Sequence, residues 1–184
     1  MIDHQRKLIF IHIARTGGTS IEAALVGRDW WDIDPDSKHL SASQTRRLYG
    51  EEFWHSYLKF SVVRNPWDRV VSMWATGWWH AKGSEAAATS FHDFVQKLRP
   101  HRHEHYESLF YYDILDEPLD RLLRFERLNE DFAALMRECG TPEIVLPHCE
   151  KRQRGDYRSY YDAETRDLVA RMFERDIREY DYEF

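Results

Sequence analysis

The chain has 184 residues, of which 42% are hydrophobic and 15% aromatic, and its net charge is −6. That size and composition suit one domain, residues 1–184, with a core of its own and no need for a metal or disulfide staple. The acidic balance argues against non-specific nucleic-acid binding, which requires a broad basic surface, but leaves room for a nucleotide held by a local cluster of cations.

The apolar run Leu8 to Ile13 predicts a buried strand. A small polar turn follows, Ala14-Arg15-Thr16-Gly17-Gly18-Thr19-Ser20, and then Ile21, Ala24 and Leu25 recur at helical spacing before Gly27. A strand, a small turn and a helix start make an anion site, because the first backbone N–H groups of a helix lack internal partners and carry the positive end of its dipole. Gly17 and Gly18 let ligand oxygens approach the backbone, Thr16, Thr19 and Ser20 supply hydroxyls, and Arg15 supplies a fixed cation. The spacing is not that of the common nucleotide loop, in which four residues separate the glycines and Lys-Ser/Thr follows.

Downstream, Arg28 to Lys38 is acidic and aromatic, with Trp30, Trp31, Asp32, Asp34 and Asp36. Ser41 to Gln44 has the capping-box pattern and predicts a helix that ends at Gly50. His39 stands just before it. Leu58 to Val63 reads as a second core strand, ending in Arg64-Asn65-Pro66-Trp67-Asp68-Arg69, with Pro66 suited to a first helical position. Arg64 at the strand end and Ser72 in the next helix are placed to converge on one anion.

Ser90 predicts the cap of a helix that carries Phe91, Phe94, Val95 and Leu98 and ends at Pro100. The alternating histidines His101, His103 and His105 read as a solvated loop rather than metal ligands, and His101 to Tyr112 is placed by position as an acceptor wall. Leu122 to Glu126 predicts a third strand, and Asn129 to Glu138 a helix stopped by Gly140. Cys139 reads as a core thiol, and Cys139 and Cys149 lack metal-ligand spacing. The run Lys151, Arg152, Arg154 and Arg158 is either a solvated loop or a basic lid. The last predicted helix runs from Ala163 to Arg178, capped by Asp162, and the closing aromatics pin the end of the chain onto the core.

Strands alternate with helices, and two strand-to-helix turns carry anion sites. This predicts an α/β domain of three layers, α/β/α, around a central parallel sheet, with ligand at the C-terminal strand ends. The turn at 14–20 resembles the 5′-phosphosulfate loop of sulfotransferases that use 3′-phosphoadenosine 5′-phosphosulfate (PAPS). It is most similar to the carbohydrate branch related to heparan sulfate 2-O-sulfotransferases, whose loop usually reads Pro-Lys-Thr-Gly-Gly-Thr-Ser. Here Ala14 stands for the Pro and Arg15 for the Lys. The segment VRNPWDRVVSMW also resembles that family.

The resemblance implies the P-loop-like sulfotransferase fold and transfer of a sulfuryl group from PAPS to an acceptor hydroxyl, with no metal. It implies that Thr16, Gly17, Gly18, Thr19 and Ser20 hold the phosphosulfate and that Arg15 meets the leaving-group charge. Arg64 and Ser72 would hold the 3′-phosphate, and Arg152 or Arg154 would close over the nucleotide. A Lys-His pair in this region supplies the proposed base in the resembled family, so the resemblance implies His39, at Lys38-His39, as the catalytic base, where its residues alone would read as a surface His beside a helix start. A neutral imidazole can take the acceptor's proton. The implied partner is a small-molecule or glycan acceptor. No run of about 18 apolar residues predicts a membrane span, and the first residues do not read as a signal peptide, so a cytoplasmic, bacterial-type relative is expected. A kinase-like phosphoryl transferase and a non-catalytic nucleotide-binding module are the alternatives. The oligomeric state is not legible.

Overall fold

A computed structural model of the chain describes residues 1–77, 88–99, 108–147 and 155–184. These fall into two compact units. One holds residues 1–63 and 108–147, the other 64–77, 88–99 and 155–184.

The first unit contains a four-stranded sheet in the order β1 (Ile2–Asp3), β2 (Leu8–Ile11), β3 (Leu58–Val63), β4 (Arg121–Arg124). Strands β2, β3 and β4 are parallel, with Phe10 opposite Phe60 and Ser61 opposite Leu122. The short β1 pairs antiparallel to β2, so the sheet is mixed where a parallel one was expected. A hairpin connection forces that direction on β1, since parallel neighbours need a long crossover. Helices surround the sheet, and the expected α/β class holds.

Side chains alternate along a strand, so Leu8 and Phe10, Phe60 and Val62, and Leu123 share one face. Against them pack Ile21 and Leu25 of α1 (Gly18–Val26) and Phe132, Leu135 and Met136 of α7 (Leu128–Glu138). Phe10 and Phe60 stack at 4.9 Å between centroids. Cys139 is half-buried against this core, and burial pushes its thiol pKa up. Between β2 and β3 lie α2 (Ala42–Tyr49) and α3 (Glu51–Ser56). The capping box is present, with the Ser41 hydroxyl accepting from the Gln44 N–H and the Gln44 side chain accepting from the Ser41 N–H. Asp116, beyond α6 (Tyr111–Ile114), also accepts from the N–H and hydroxyl of Ser43.

The second unit is helical. It comprises α4 (Pro66–Thr76), α5 (Phe91–Lys97), α8 (Ala163–Met172) and α9 (Glu174–Glu179). Pro66 opens α4, and Asn65 caps it by accepting from the Trp67 N–H. The Asn65 side-chain amide donates to the Glu183 carbonyl at 2.7 Å. Phe184 meets Trp67, Tyr157 and Tyr161 edge-on. The chain end is therefore pinned by its aromatics, as expected. The single helix predicted from Ala163 breaks at Phe173, which is buried and separates α8 from α9.

Candidate functional site

The turn at 14–20 leaves the C-terminal end of β2 and runs into α1. Gly17 is the N-cap, with φ of 88° in the left-handed region, where a glycine is at ease. It offers no side-chain cap, and the first turn of α1 holds no acidic residue. The positive end of this nine-residue helix is thus uncompensated by its own sequence. Thr19 is exposed and Ser20 half-buried. Arg15, also half-buried, adopts φ of 69°, a conformation uncommon for a residue with a Cβ. Thr16 is fully buried, and its hydroxyl donates to the Ile13 carbonyl at 2.7 Å. Its single hydroxyl proton is therefore committed to shaping the turn, and only its backbone N–H remains to serve an anion.

Gly18 has a second reason to be glycine. A Cβ there would lie 2.3 Å from the His12 ring. That ring cannot yield easily: it stacks on Phe10, with centroids 5.4 Å apart, and its Nδ1–H donates to Glu22 at 2.5 Å.

Glu22 is the hub beneath the turn. The buried positions of α1 are Gly18, Ile21, Glu22 and Leu25, so a carboxylate sits on the core-facing stripe. It has no exposed surface. It accepts from His12 Nδ1–H, from Lys38 Nζ at 2.8 Å and from the Trp30 N–H at 3.1 Å. Burial opposes its ionisation, but these donors outweigh burial and bring its pKa down to about 2. Lys38, itself buried, also bonds Asp29, and its ammonium lies 5.6 Å from the centroid of the Trp31 ring.

His39 follows Lys38 directly. It is buried, 4.7 Å from the His12 ring between centroids, with Trp31 edge-on at 5.7 Å. Its Nδ1 lies 3.1 Å from the His12 carbonyl oxygen. A carbonyl can only accept, so Nδ1 carries the proton and Nε2 keeps the lone pair. Burial, then the neighbouring His12, holds its pKa well below the ordinary imidazole value. The ring is neutral at pH 7, with one defined basic nitrogen.

In the second unit, Arg64 and Ser72 are both buried. Asp68 holds the Arg64 guanidinium through Nε and a terminal nitrogen, each at 2.7 Å. Asp68 and Ser72 stand four residues apart, on one line of α4. Sequence reasoning missed this orienting role of Asp68, as it missed His12 and Glu22. Lys151, Arg152 and Arg154 of the predicted lid lie outside the described residues, as do His101, His103, His105 and Cys149. Among the described residues, no group of His, Cys, Asp and Glu could hold a metal ion.

Two expectations follow. Gly18→Ala forces the clamped His12 ring to move, and overpacking of this kind costs about 1–3 kcal/mol, readable as a lower urea midpoint. The second concerns pH. Both His12 and His39 have lowered pKa values, for which burial is the first cause. The unfolded chain takes up protons on both near pH ~6.5 while the folded chain does not, so stability falls below that pH by up to about 1.4 kcal/mol per pH unit for each ring. Glu22, at about 2 against an ordinary 4.5, extends the loss from pH 4.5 downward. Urea midpoints measured from about pH 7.5 to about pH 5 are expected to fall, and His39→Asn to remove one ring's share of the slope.

A sequence model of the Sulfotransferase family matches residues 1–183. An uncharacterized protein of Archaeoglobus fulgidus is 28% identical over 116 residues, which cover 56% of this chain and 85% of that protein. The crystal structure of a sulfotransferase from Alicyclobacillus acidocaldarius aligns with 93% of this chain and 92% of its own, at 12% identity and a TM-score of 0.42. Matched over all but its final residue by the family model, the chain belongs to the sulfotransferase family.

Proposed function

We propose that this sulfotransferase moves the sulfuryl group of PAPS to a hydroxyl of a carbohydrate acceptor, as a cytoplasmic member of the branch related to heparan sulfate 2-O-sulfotransferases. The observation that carries the reading is the uncompensated N-terminus of α1, entered through Arg15 and two glycines. Such a helix start suits a phosphosulfate, whose charge it meets with backbone N–H groups.

In the proposed reaction the acceptor oxygen attacks sulfur in line with the departing 5′-phosphate. The new O–S bond forms as the S–O bond to that phosphate breaks. The hydroxyl proton passes to Nε2 of His39, and the charge on the leaving phosphate is met by Arg15 and by the backbone N–H groups of Gly17 to Thr19. Thr19 and Ser20 add hydroxyls, and Thr16 adds its backbone N–H. Arg64, oriented by Asp68, and Ser72 hold the 3′-phosphate, with Arg152 or Arg154 closing over the nucleotide. Catalysis of this kind is positioning and charge stabilisation, as in phosphoryl transfer. The neutral His39 with its proton on Nδ1 supports the role of base, because Nε2 is then ready to accept. Among the described residues no helix is long and apolar enough to cross a membrane.

Isothermal titration calorimetry with 3′-phosphoadenosine 5′-phosphate tests the donor site. Micromolar binding, about −8 kcal/mol, is expected, with adenosine 5′-phosphate and ATP far weaker. Equal binding of all three would sink the Arg64 and Ser72 assignment, and tighter ATP binding would favour phosphoryl transfer. Sulfate release from PAPS, with water as the acceptor, tests the base. His39→Ala is expected to lower that rate ~10²–10⁴-fold with donor affinity little changed. An unchanged rate would remove His39 from the mechanism.

A further inference from the structure

We propose that Glu22 is the positioning residue for His39, a buried carboxylate that locks the strand end at His12 and the segment 30–39 together so that His39 presents Nε2. For its catalytic meaning this rests on the reading of His39 as base; the positioning itself does not.

The argument runs through three donors that come from three places in the chain. His12 lies just past β2 and donates through Nδ1. Trp30 opens a 3-10 turn and donates its backbone N–H. Lys38 adjoins His39 and donates its ammonium. Each bond alone would pin one element to α1. Together they fix both ends of the segment that carries His39, since Trp30 begins it and Lys38 nearly ends it. The contact that selects the His39 tautomer is then made by the His12 backbone, and the His12 side chain is held by the same carboxylate. One oxygen of Glu22 takes His12 and the other takes Trp30 and Lys38. Both oxygens are thus used, and a shift of either partner breaks a charge-assisted bond inside the core.

Nothing in this arrangement lets Glu22 touch a substrate. It has no exposed surface, and the residues it holds, His12, Trp30 and Lys38, are themselves buried. Its role is exerted through His12 and Lys38. Ring NMR of labelled histidine, assigned by the His39→Asn variant, reads that role without any acceptor. In the native protein the His39 ring is expected to be the Nδ1–H tautomer, titrating well below pH ~6.5.

In Glu22→Gln the tautomer is expected to mix, and the titration midpoint to rise toward ~6.5 as the ring gains water. The charged or titratable groups that act on this ring include His12, Lys38 and Glu22. Of these, Glu22 favours the protonated ring, so loss of its charge with the ring held still would move the midpoint down. An upward shift therefore reports loosening. A folded Glu22→Gln variant whose tautomer and midpoint are unchanged, or whose midpoint falls, overturns the proposal.

A double-mutant cycle on sulfate release from PAPS supplies the second reading. Glu22→Gln is expected to slow release ~10-fold or more in the native background and to add no further loss in a His39→Ala background. Multiplying losses would overturn the proposal. If circular dichroism shows that Glu22→Gln is unfolded, Lys38→Met carries the same cycle, since Lys38 is the link to His39, and its NMR comparison reads the tautomer alone, because loss of the Lys38 charge by itself raises the midpoint. A His39→Ala enzyme of full rate would refute the base and leave the NMR result to decide the positioning by itself.

Discussion

A carboxylate without exposed surface must have its charge answered within hydrogen-bond reach, and much of the first unit is arranged around that demand. Removing one partner of such a buried charge typically costs about 3–5 kcal/mol, whereas replacing the whole group by apolar side chains is often neutral or stabilising. Stability alone therefore gives weak reason to keep Glu22, Lys38 and His12 in a core otherwise built from Phe10, Phe60, Val62 and Leu123. What the charges add is direction. An apolar core is satisfied by many small displacements, but the acceptor oxygens of Glu22 are satisfied by one placement of the His12 ring and one of the Lys38 ammonium.

His12 shows how this direction reaches the proposed chemistry. Its ring packs against the turn at Gly18, and its carbonyl accepts a hydrogen bond from the His39 Nδ1–H. The residue under the proposed anion site and the residue that sets the tautomer of the proposed base are one and the same. Movement of that strand end would disturb both, so under the proposed chemistry leaving-group stabilisation and proton acceptance would be coupled through a single side chain and its backbone.

The sequence was most legible where one local rule decides the outcome. Leu58 to Val63 is a continuous apolar run and forms β3 over those residues. Ser41, Pro66, Ser90 and Asp162 announce helix starts by capping chemistry that needs no distant partner. Elements governed by context were not legible. α3 is six residues long and begins straight after Gly50, at the point where one helix was expected to end and none to start. The break at Phe173 depends on what that ring packs into, and β1 is only two residues long. Of the proposed site, the turn, Lys38-His39, Arg64 and Ser72 could be named as residue types whose spacing resembles a family pattern. The hub was not, because Glu22 and Lys38 stand 16 residues apart and periodicity counts apolar residues rather than paired charges. A signal did exist. Gly18, Ile21, Glu22 and Leu25 follow the i, i+3, i+4, i+7 pattern, and a Glu on that stripe calls for a buried cation.

Arg15 holds a backbone angle that glycine or asparagine would occupy with less strain. Under the proposed chemistry the same position supplies the leaving-group cation, so the two demands on it pull in opposite directions. A redesign guided by thermal stability alone would favour Gly there and would return a tougher protein with its anion site disarmed. Selection for turnover would keep a long cationic side chain and tolerate the backbone cost. Under that chemistry, local discomfort in this turn marks the position where activity rather than folding sets the residue.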